Sequence, residues 1–92
     1  MKGKPFPILD FVLTPHASLE LLRRGLDEAV VQQVLANPEQ RILVRPGHEV
    51  AQSRLDTAGR RYLLRVFVDT DRSPAEVVTA YRTSKVDKYW RR

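Results

Sequence analysis

The stretch that decides the fold is residues 61–69, which read Arg-Tyr-Leu-Leu-Arg-Val-Phe-Val-Asp. Apolar residues occupy both sets of alternating positions: Leu64 and Val66 share one side of a strand, and Leu63 and Phe67 share the other. A strand that is apolar on both faces is typical of the centre of a sheet. The stretch therefore predicts a central β-strand, and the remaining elements are placed around it.

Short turns separate this strand from three further predicted strands in the second half of the chain. These strands cover Arg41–Arg45, Glu49–Thr57 and Ala75–Arg82. Pro46-Gly47, Ala58-Gly59 and the Ser73-Pro74 region supply the turn residues between them. Because connections this short join neighbouring strands that run in opposite directions, we expect an antiparallel meander.

The first half of the chain predicts one strand and two helices. The strand covers Ile8–Leu13, with Leu9, Phe11 and Leu13 facing the core. The first helix runs from Pro15 to about Arg24, with Ala17, Leu21 and Leu22 on the core side. The second helix covers Glu28–Ala36. Thr14 and Asp27 are good N-caps, and Pro15 suits the first helical position because its missing N–H has no partner there. Gly25 is a suitable stop between the helices.

The fold class that follows is α+β, in one domain over residues 1–92. Two N-terminal helices are expected to pack on a mainly antiparallel, four- to five-stranded sheet. Residues 1–7 are expected to form a loose leader. A short C-terminal helical tail is expected to begin at a Ser84 cap and to pack Tyr89 and Trp90 on the core.

The composition narrows the classes of function. The chain has 16 Lys and Arg against 11 Asp and Glu, which gives a net charge of +5, and it has no cysteine. We expect a cytoplasmic protein without disulfides, membrane span, metal or cofactor. A basic surface attracts polyphosphates, so RNA is the favoured partner. The alternative is that the charge serves only solubility.

Two groups of residues have side chains that suit chemistry on a phosphate. On the first helix, His16, Glu20 and Arg24 lie at i, i+4 and i+8 and so share a polar stripe. The alternative interpretation of this stripe is an ordinary solvated helix face. On the sheet, a shared face would bring together Arg54, Arg65, Tyr81 and Lys85. The alternative for Arg65 is an ion pair with Glu49 or Glu76. His48 is expected to be exposed in a turn and without a role.

The chain resembles, over nearly its whole length, a known bacterial family, the domain of unknown function 4258. The resemblance lies in Thr14-Pro15-His16-Ala17, Leu21-Leu22-Arg23-Arg24-Gly25-Leu26, Asn37-Pro38, Val78-Thr79-Ala80-Tyr81-Arg82-Thr83-Ser84-Lys85 and Lys88-Tyr89-Trp90. That family is similar in architecture to the RelE/ParE toxin superfamily. The chain departs from the family pattern at Glu20, where an arginine is often found, and it adds a strand before the helices.

The resemblance implies a RelE-like toxin of a toxin–antitoxin system that cleaves mRNA, often on the ribosome, without a metal. In that reaction the RNA 2′-hydroxyl attacks the adjacent phosphate. Tyr81 or His16 would act as general base, Arg65 with Arg24 or Lys85 would stabilise the transition state, and Arg54, Arg61, Arg82 and Lys88 would hold the RNA backbone. ParE-like relatives lack nuclease activity and poison gyrase. The alternative function is therefore a non-catalytic module that binds an antitoxin or a gyrase-type protein.

Overall fold

The computed structural model describes residues 5–92, which fold as β-α-α-β-β-β-β with a C-terminal helical turn. The elements are β1 (Phe11–Leu13), α1 (Pro15–Arg23), α2 (Glu28–Ala36), β2 (Gln40–Arg45), β3 (His48–Thr57), β4 (Arg60–Asp69), β5 (Ala75–Thr83) and α3 (Val86–Tyr89). This order is the predicted one. Of the predicted leader, residues 1–4 lie outside the described part of the chain, and residues 5–7 have no regular secondary structure.

The five strands form one sheet in the order β1-β5-β4-β3-β2, so β4 is central, as its two apolar faces predicted. The β2–β3, β3–β4 and β4–β5 pairs are antiparallel. β1 is parallel to β5, with Phe11 opposite Ala75 and Leu13 opposite Val77. The predicted α+β class with a mainly antiparallel sheet is confirmed.

The two helices cover one face of this sheet and begin at the predicted caps. The Thr14 hydroxyl accepts a hydrogen bond from the Ala17 amide at 3.0 Å, and the Asp27 carboxylate accepts one from the Ala29 amide at 3.1 Å. A single apolar core lies between helices and sheet. Its buried members include Ala17, Leu21, Val31, Val34 and Leu35 of the helices and Ala51, Leu64, Val66, Val68, Val77 and Ala80 of the sheet.

Two predictions about which side chains face the core are wrong. Leu9 is 72% exposed and Ile8 is buried instead, because the Ile8 amide donates to the Leu35 carbonyl at 2.8 Å and the chain enters the sheet only at Phe11. Leu22 is 78% exposed. The short helix α1 buries a narrow stripe through Ala17 and Leu21, and Leu22 lies about 100° further round the helix.

The C-terminal tail, residues 84–92, packs on the opposite face of the sheet, which we call the tail face. Ser84 does not cap α3: the helix has no side-chain cap, and the Thr83 hydroxyl accepts a hydrogen bond from the Lys85 amide at 3.1 Å. The tail is held because the Gln52 side chain on β3 donates to the Tyr89 carbonyl at 3.1 Å. None of the helices within residues 5–92 is long and apolar enough to cross a membrane.

Candidate nucleic-acid interface

Three polar side chains lie side by side at the centre of the tail face. Pairing in the sheet aligns Gln52 of β3 with Arg65 of β4, and Arg65 with Tyr81 of β5. Val66, the residue after Arg65, belongs to the core between sheet and helices, so its side chain points to the helices. Because neighbouring residues of a strand point to opposite faces, this register places all three polar side chains on the tail face.

Arg65 is held by neutral groups. Its Nε donates to the Gln52 Oε1 at 2.9 Å, and its Nη1 donates to the Tyr81 hydroxyl at 2.8 Å. Within residues 5–92 it forms no ion pair with a carboxylate, and its Nη2 has no hydrogen-bond partner. The alternative of an ion pair to Glu49 or Glu76 is wrong for this structure. Arg41 binds both oxygens of the Glu49 carboxylate, and Glu76 is paired in register with Asp69, at the far end of β4 from Arg65. The guanidinium therefore keeps its positive charge uncompensated and its fork partly open.

Aromatic rings surround the same guanidinium. The Arg65 Cζ lies 4.3 Å from the ring centroid of Tyr89, 5.4 Å from that of Phe67 and 5.8 Å from that of Tyr81. Each distance is within the range of a cation–π interaction, which holds the charge without neutralising it. Phe67 and Tyr81 are also stacked, with centroids 5.9 Å apart and planes at 22°.

Tyr89 is the residue in this cluster whose acidity is altered. A hydrogen bond from Tyr81 lowers the pKa of the Tyr89 phenol, and the positive charges of Lys88 and Arg65 lower this pKa further. All three effects stabilise the phenolate relative to the phenol. The Lys88 ammonium lies 5.3 Å from the ring centroid of Tyr89. Tyr89 is thus better suited to accept a proton than an ordinary tyrosine.

Gln52 joins this cluster to the C-terminal tail. Its side chain is fully buried; besides accepting from Arg65, it donates from Nε2 to the Gln40 Oε1 at 2.8 Å and to the Tyr89 carbonyl. Gln40 Oε1 in turn accepts from the Arg91 amide at 3.1 Å. A buried amide with its donors and acceptor satisfied has one favoured orientation. Gln52 therefore fixes both the Arg65 guanidinium and the tail.

Two of the predicted backbone-binding arginines on the tail face carry carboxylate partners. Glu39 binds Arg54 in a bidentate pair, with Oε1 3.1 Å from Nε and Oε2 2.8 Å from Nη2, and this pairing raises the pKa of Arg54. The Arg54 Cζ lies 4.1 Å from the Trp90 ring centroid. Arg61 pairs with Asp56 in the same way, which raises the pKa of Arg61 and lowers that of Asp56. Their charges are partly compensated, unlike that of Arg65.

The polar stripe on α1 is present but lies apart from the Arg65 cluster. Glu20 bridges the stripe, with its Oε1 3.4 Å from His16 Nε2 and 3.6 Å from Arg24 Nη2. Arg24 also donates to the Thr79 hydroxyl at 3.0 Å and to the Ala80 carbonyl at 2.7 Å. Arg24 thus reaches β5 beside Tyr81, whereas the His16 side chain is 67% exposed at the other end of α1.

The remaining predicted residues are dispersed. Arg82 is paired in register with the core residue Leu64, so it lies on the helix-covered face, where its Cζ is 4.5 Å from the Tyr62 ring centroid. Lys85 is exposed in the turn before α3, and Lys88 lies in α3. The structure therefore brings together Arg65, Tyr81 and Lys88 around Tyr89, with Arg54 beside Trp90 of the same tail, whereas Arg24 contacts Thr79, Ala80 and Glu20 outside this cluster.

Sequence reasoning missed Gln52, Phe67 and Tyr89 as members of this site. Phe67 and Gln52 each carried a signal, since Phe67 alternates in phase with Arg65 along β4 and Gln52 with Arg54 along β3. The expectation that His48 is exposed in a turn is wrong: it lies in β3, half-buried, with Nδ1 2.6 Å from the Asp69 Oδ1. In the described part of the chain no three His, Asp or Glu side chains cluster as metal ligands.

Comparison with protein-family models, with curated proteins and with solved structures returns no match to this chain.

Proposed function

We propose that this protein binds RNA on the tail face and cleaves it, as a RelE-like toxin would cleave mRNA. The observation that carries the proposal is Arg65, which lies at the centre of the sheet, surrounded by aromatic rings and without a carboxylate partner. Arg65 is half-buried, so its charge has lost part of its hydration, and no carboxylate in the described part of the chain replaces it. A bound phosphate would supply the missing negative charge.

The site offers the two kinds of contact that single-stranded RNA needs. The open Nη2 of Arg65 is free to donate to a phosphate oxygen, in a charge-assisted hydrogen bond. Phe67 and Tyr81 provide ring faces on which a base can stack. The net charge of +5 strengthens encounter with any polyanion.

The altered acidity of Tyr89 supports a cleavage step. The Tyr89 phenolate takes the proton of the RNA 2′-hydroxyl, and the 2′-oxygen then forms a bond to the adjacent phosphorus. The bond from phosphorus to the 5′-oxygen breaks, and that oxygen takes a proton from solvent. The products are a 2′,3′-cyclic phosphate and a free 5′-hydroxyl. Arg65 stabilises the extra negative charge that develops on the phosphoryl oxygens.

In this proposal Tyr89 replaces Tyr81 as the first choice of base. The Tyr81 hydroxyl already accepts from Arg65, and its hydrogen bond stabilises the Tyr89 phenolate. The role of His16 as general base stays a prediction, and it requires the RNA to extend along α1. The toxin assignment adds an antitoxin as protein partner and growth arrest as the biological effect.

A second candidate function is favoured by one separate observation. Leu19 and Leu22 are exposed on α1, one helical turn apart, at 45% and 78%. Such a pair suits a partner helix or strand. A module that binds an antitoxin or a gyrase-type protein without cleaving RNA would use this face and leave Arg65 dispensable.

The test is cleavage of a defined mRNA, free and ribosome-bound, by wild type, Arg65→Lys and Tyr89→Phe protein in the presence of EDTA. We expect wild type to produce cyclic phosphate ends, and each variant to lose at least about tenfold in rate, within the range of a general-base or charge-stabilising group. An RNA with 2′-deoxyribose at the cleaved position should be resistant. Intact RNA after incubation with wild-type protein in both forms would refute the cleavage proposal.

A further inference from the structure

A second feature of the tail face is a small cleft beside a histidine–aspartate pair. His48 Nδ1 lies 2.6 Å from Asp69 Oδ1 where β3 and β4 are paired near one end of the sheet. The cleft has a volume of about 230 Å³, and its lining includes these two residues with Val44, Phe67 and Val78. Pockets that enclose drug-sized ligands measure roughly 300–1,000 Å³, so this cleft has room for a single ring system.

Irregularities in two different strands contribute to this cleft. In β2, Leu43 pairs with Glu49 and Arg45 with His48, so Val44 has no partner in the ladder. In β5, Thr79 pairs with Phe67 and Val77 with Val68, so Val78 has no partner either. Both unpaired valines line the cleft. Bulges re-aim side chains and are frequent beside functional sites, and here two of them converge on one place.

The polar rim of the cleft has a defined chemistry. The Asp69 carboxylate accepts the proton on His48 Nδ1; in the neutral imidazole Nε2 is then an acceptor, whereas in the imidazolium both ring nitrogens donate. Arg45 and Glu49 also line the cleft, so with Asp69 the lining contains residues of both charges and has no positive excess that would select a phosphate. A ligand for this cleft is therefore flat, neutral and apolar on its faces, with a hydrogen-bond donor on its edge.

Phe67 connects this cleft to Arg65. Its ring lines the cleft, its centroid is 5.4 Å from the Arg65 Cζ, and it stacks on Tyr81. A ring bound on Phe67 would thus be adjacent to a phosphate bound at Arg65. Within one nucleotide, base and phosphate are separated only by the ribose.

We propose that this cleft is a nucleobase subsite that selects a base with an exocyclic amino group, adenine, cytosine or guanine, over uracil. The proposal rests on RNA being the ligand of the tail face. The base stacks on Phe67 and contacts Val44 and Val78, and its amino group donates to His48 Nε2. Uracil has no amino group: its one edge donor, N3–H, lies between two carbonyl oxygens, and both oxygens repel an acceptor that approaches this donor.

The binding test uses nucleosides, which carry no phosphate and so isolate this subsite from Arg65. Adenosine, cytidine, guanosine and uridine are titrated into ¹⁵N-labelled full-length protein. We expect the amide signals of Val44, Phe67 and Asp69 to shift with the three amino-bearing nucleosides and less with uridine. His48→Leu should abolish the preference, whereas Glu28→Gln, a charge change on α2, should preserve it. Equal shifts for all four nucleosides, or shifts only elsewhere, would overturn the proposal.

The cleavage test uses oligonucleotides that differ only in the base on the 5′ side of the cleaved bond. We expect wild type to favour the amino-bearing bases by about three- to tenfold, the value of one hydrogen bond. Asp69→Asn should reduce this ratio towards one, because it no longer fixes the His48 proton. If wild type cleaves all four equally, the subsite proposal fails and the function stands. If nucleosides bind with the expected preference but no RNA is cleaved, cleavage fails and the subsite stands.

Discussion

Replacing Gln52 with leucine removes the side chain that joins Arg65 to the C-terminal tail, and the new side chain has a similar volume. The variant loses three hydrogen bonds, to Arg65 Nε, Gln40 Oε1 and the Tyr89 carbonyl. Each contributes a net value of about 0.5–1.5 kcal/mol, so their sum is about 3 kcal/mol. Burying the leucine returns roughly 1 kcal/mol. We therefore expect a loss of about 2 kcal/mol, which is a large share of the roughly 5–14 kcal/mol of a domain this size.

Urea denaturation provides the assay, followed by circular dichroism for the sheet and by Trp90 fluorescence for the tail. Because Gln52 binds the tail directly, we expect the fluorescence transition of Gln52→Leu to precede the dichroism transition. Gln33→Leu, the same substitution on the exposed side of α2, should stay within about 0.5 kcal/mol of wild type. A Gln52→Leu variant that also stays within this limit would refute the argument that Gln52 anchors the site.

Three further predictions concern acidity, turn geometry and the tail. Tyr81→Phe removes the main cause of the lowered pKa of Tyr89, so ultraviolet titration should show that pKa rising towards 10. Because folding lowers the pKa of Tyr89, its phenolate contributes fully to stability above pH 10, and this contribution is lost as the pH falls through the lowered pKa. Wild type should therefore gain more stability than Tyr81→Phe as the pH rises in the alkaline range. Urea titrations at each pH measure this difference. Gly47→Ala should destabilise the fold by more than about 1 kcal/mol in urea titrations, since Gly47 has φ of +81° and an added Cβ would lie 2.8 Å from Asp71. Gln40→Ala should loosen the tail, because Gln40 Oε1 accepts from the Arg91 amide, and limited proteolysis should then cleave after Arg91 or Lys88 faster than in wild type.

The sequence predicted the elements whose determinants are local. The N-caps Thr14 and Asp27 and the two-faced apolar pattern of β4 each depend on residues a few positions apart, and each prediction is confirmed. Leu9 and Leu22 were assigned wrongly because periodicity alone does not fix the phase of a short element. The Ile8–Leu35 hydrogen bond and the narrow contact of α1 fix it, and both are tertiary.

The candidate site could be predicted only in part, for a related reason. Arg65 and Tyr81 were placed on a common face by strand alternation, and the register makes them direct neighbours. Tyr89 comes from a tail whose path across the sheet depends on Gln52, and the His48–Asp69 pair depends on the β3–β4 register. Neither a fold-back tail nor a register leaves a periodic signal in the sequence.

The most direct measurement for the central claim is the affinity of a non-cleavable, 2′-O-methylated RNA for the protein as a function of salt. Wild type should bind with a dissociation constant that rises with salt, as phosphate contacts require. Arg65→Gln should bind the RNA about tenfold more weakly, and the slope of log Kd against log salt concentration should fall by about one phosphate contact. Arg23→Gln, on the exposed side of α1, should lose far less affinity. Equal affinity and slope for wild type and Arg65→Gln would contradict an RNA site centred on Arg65.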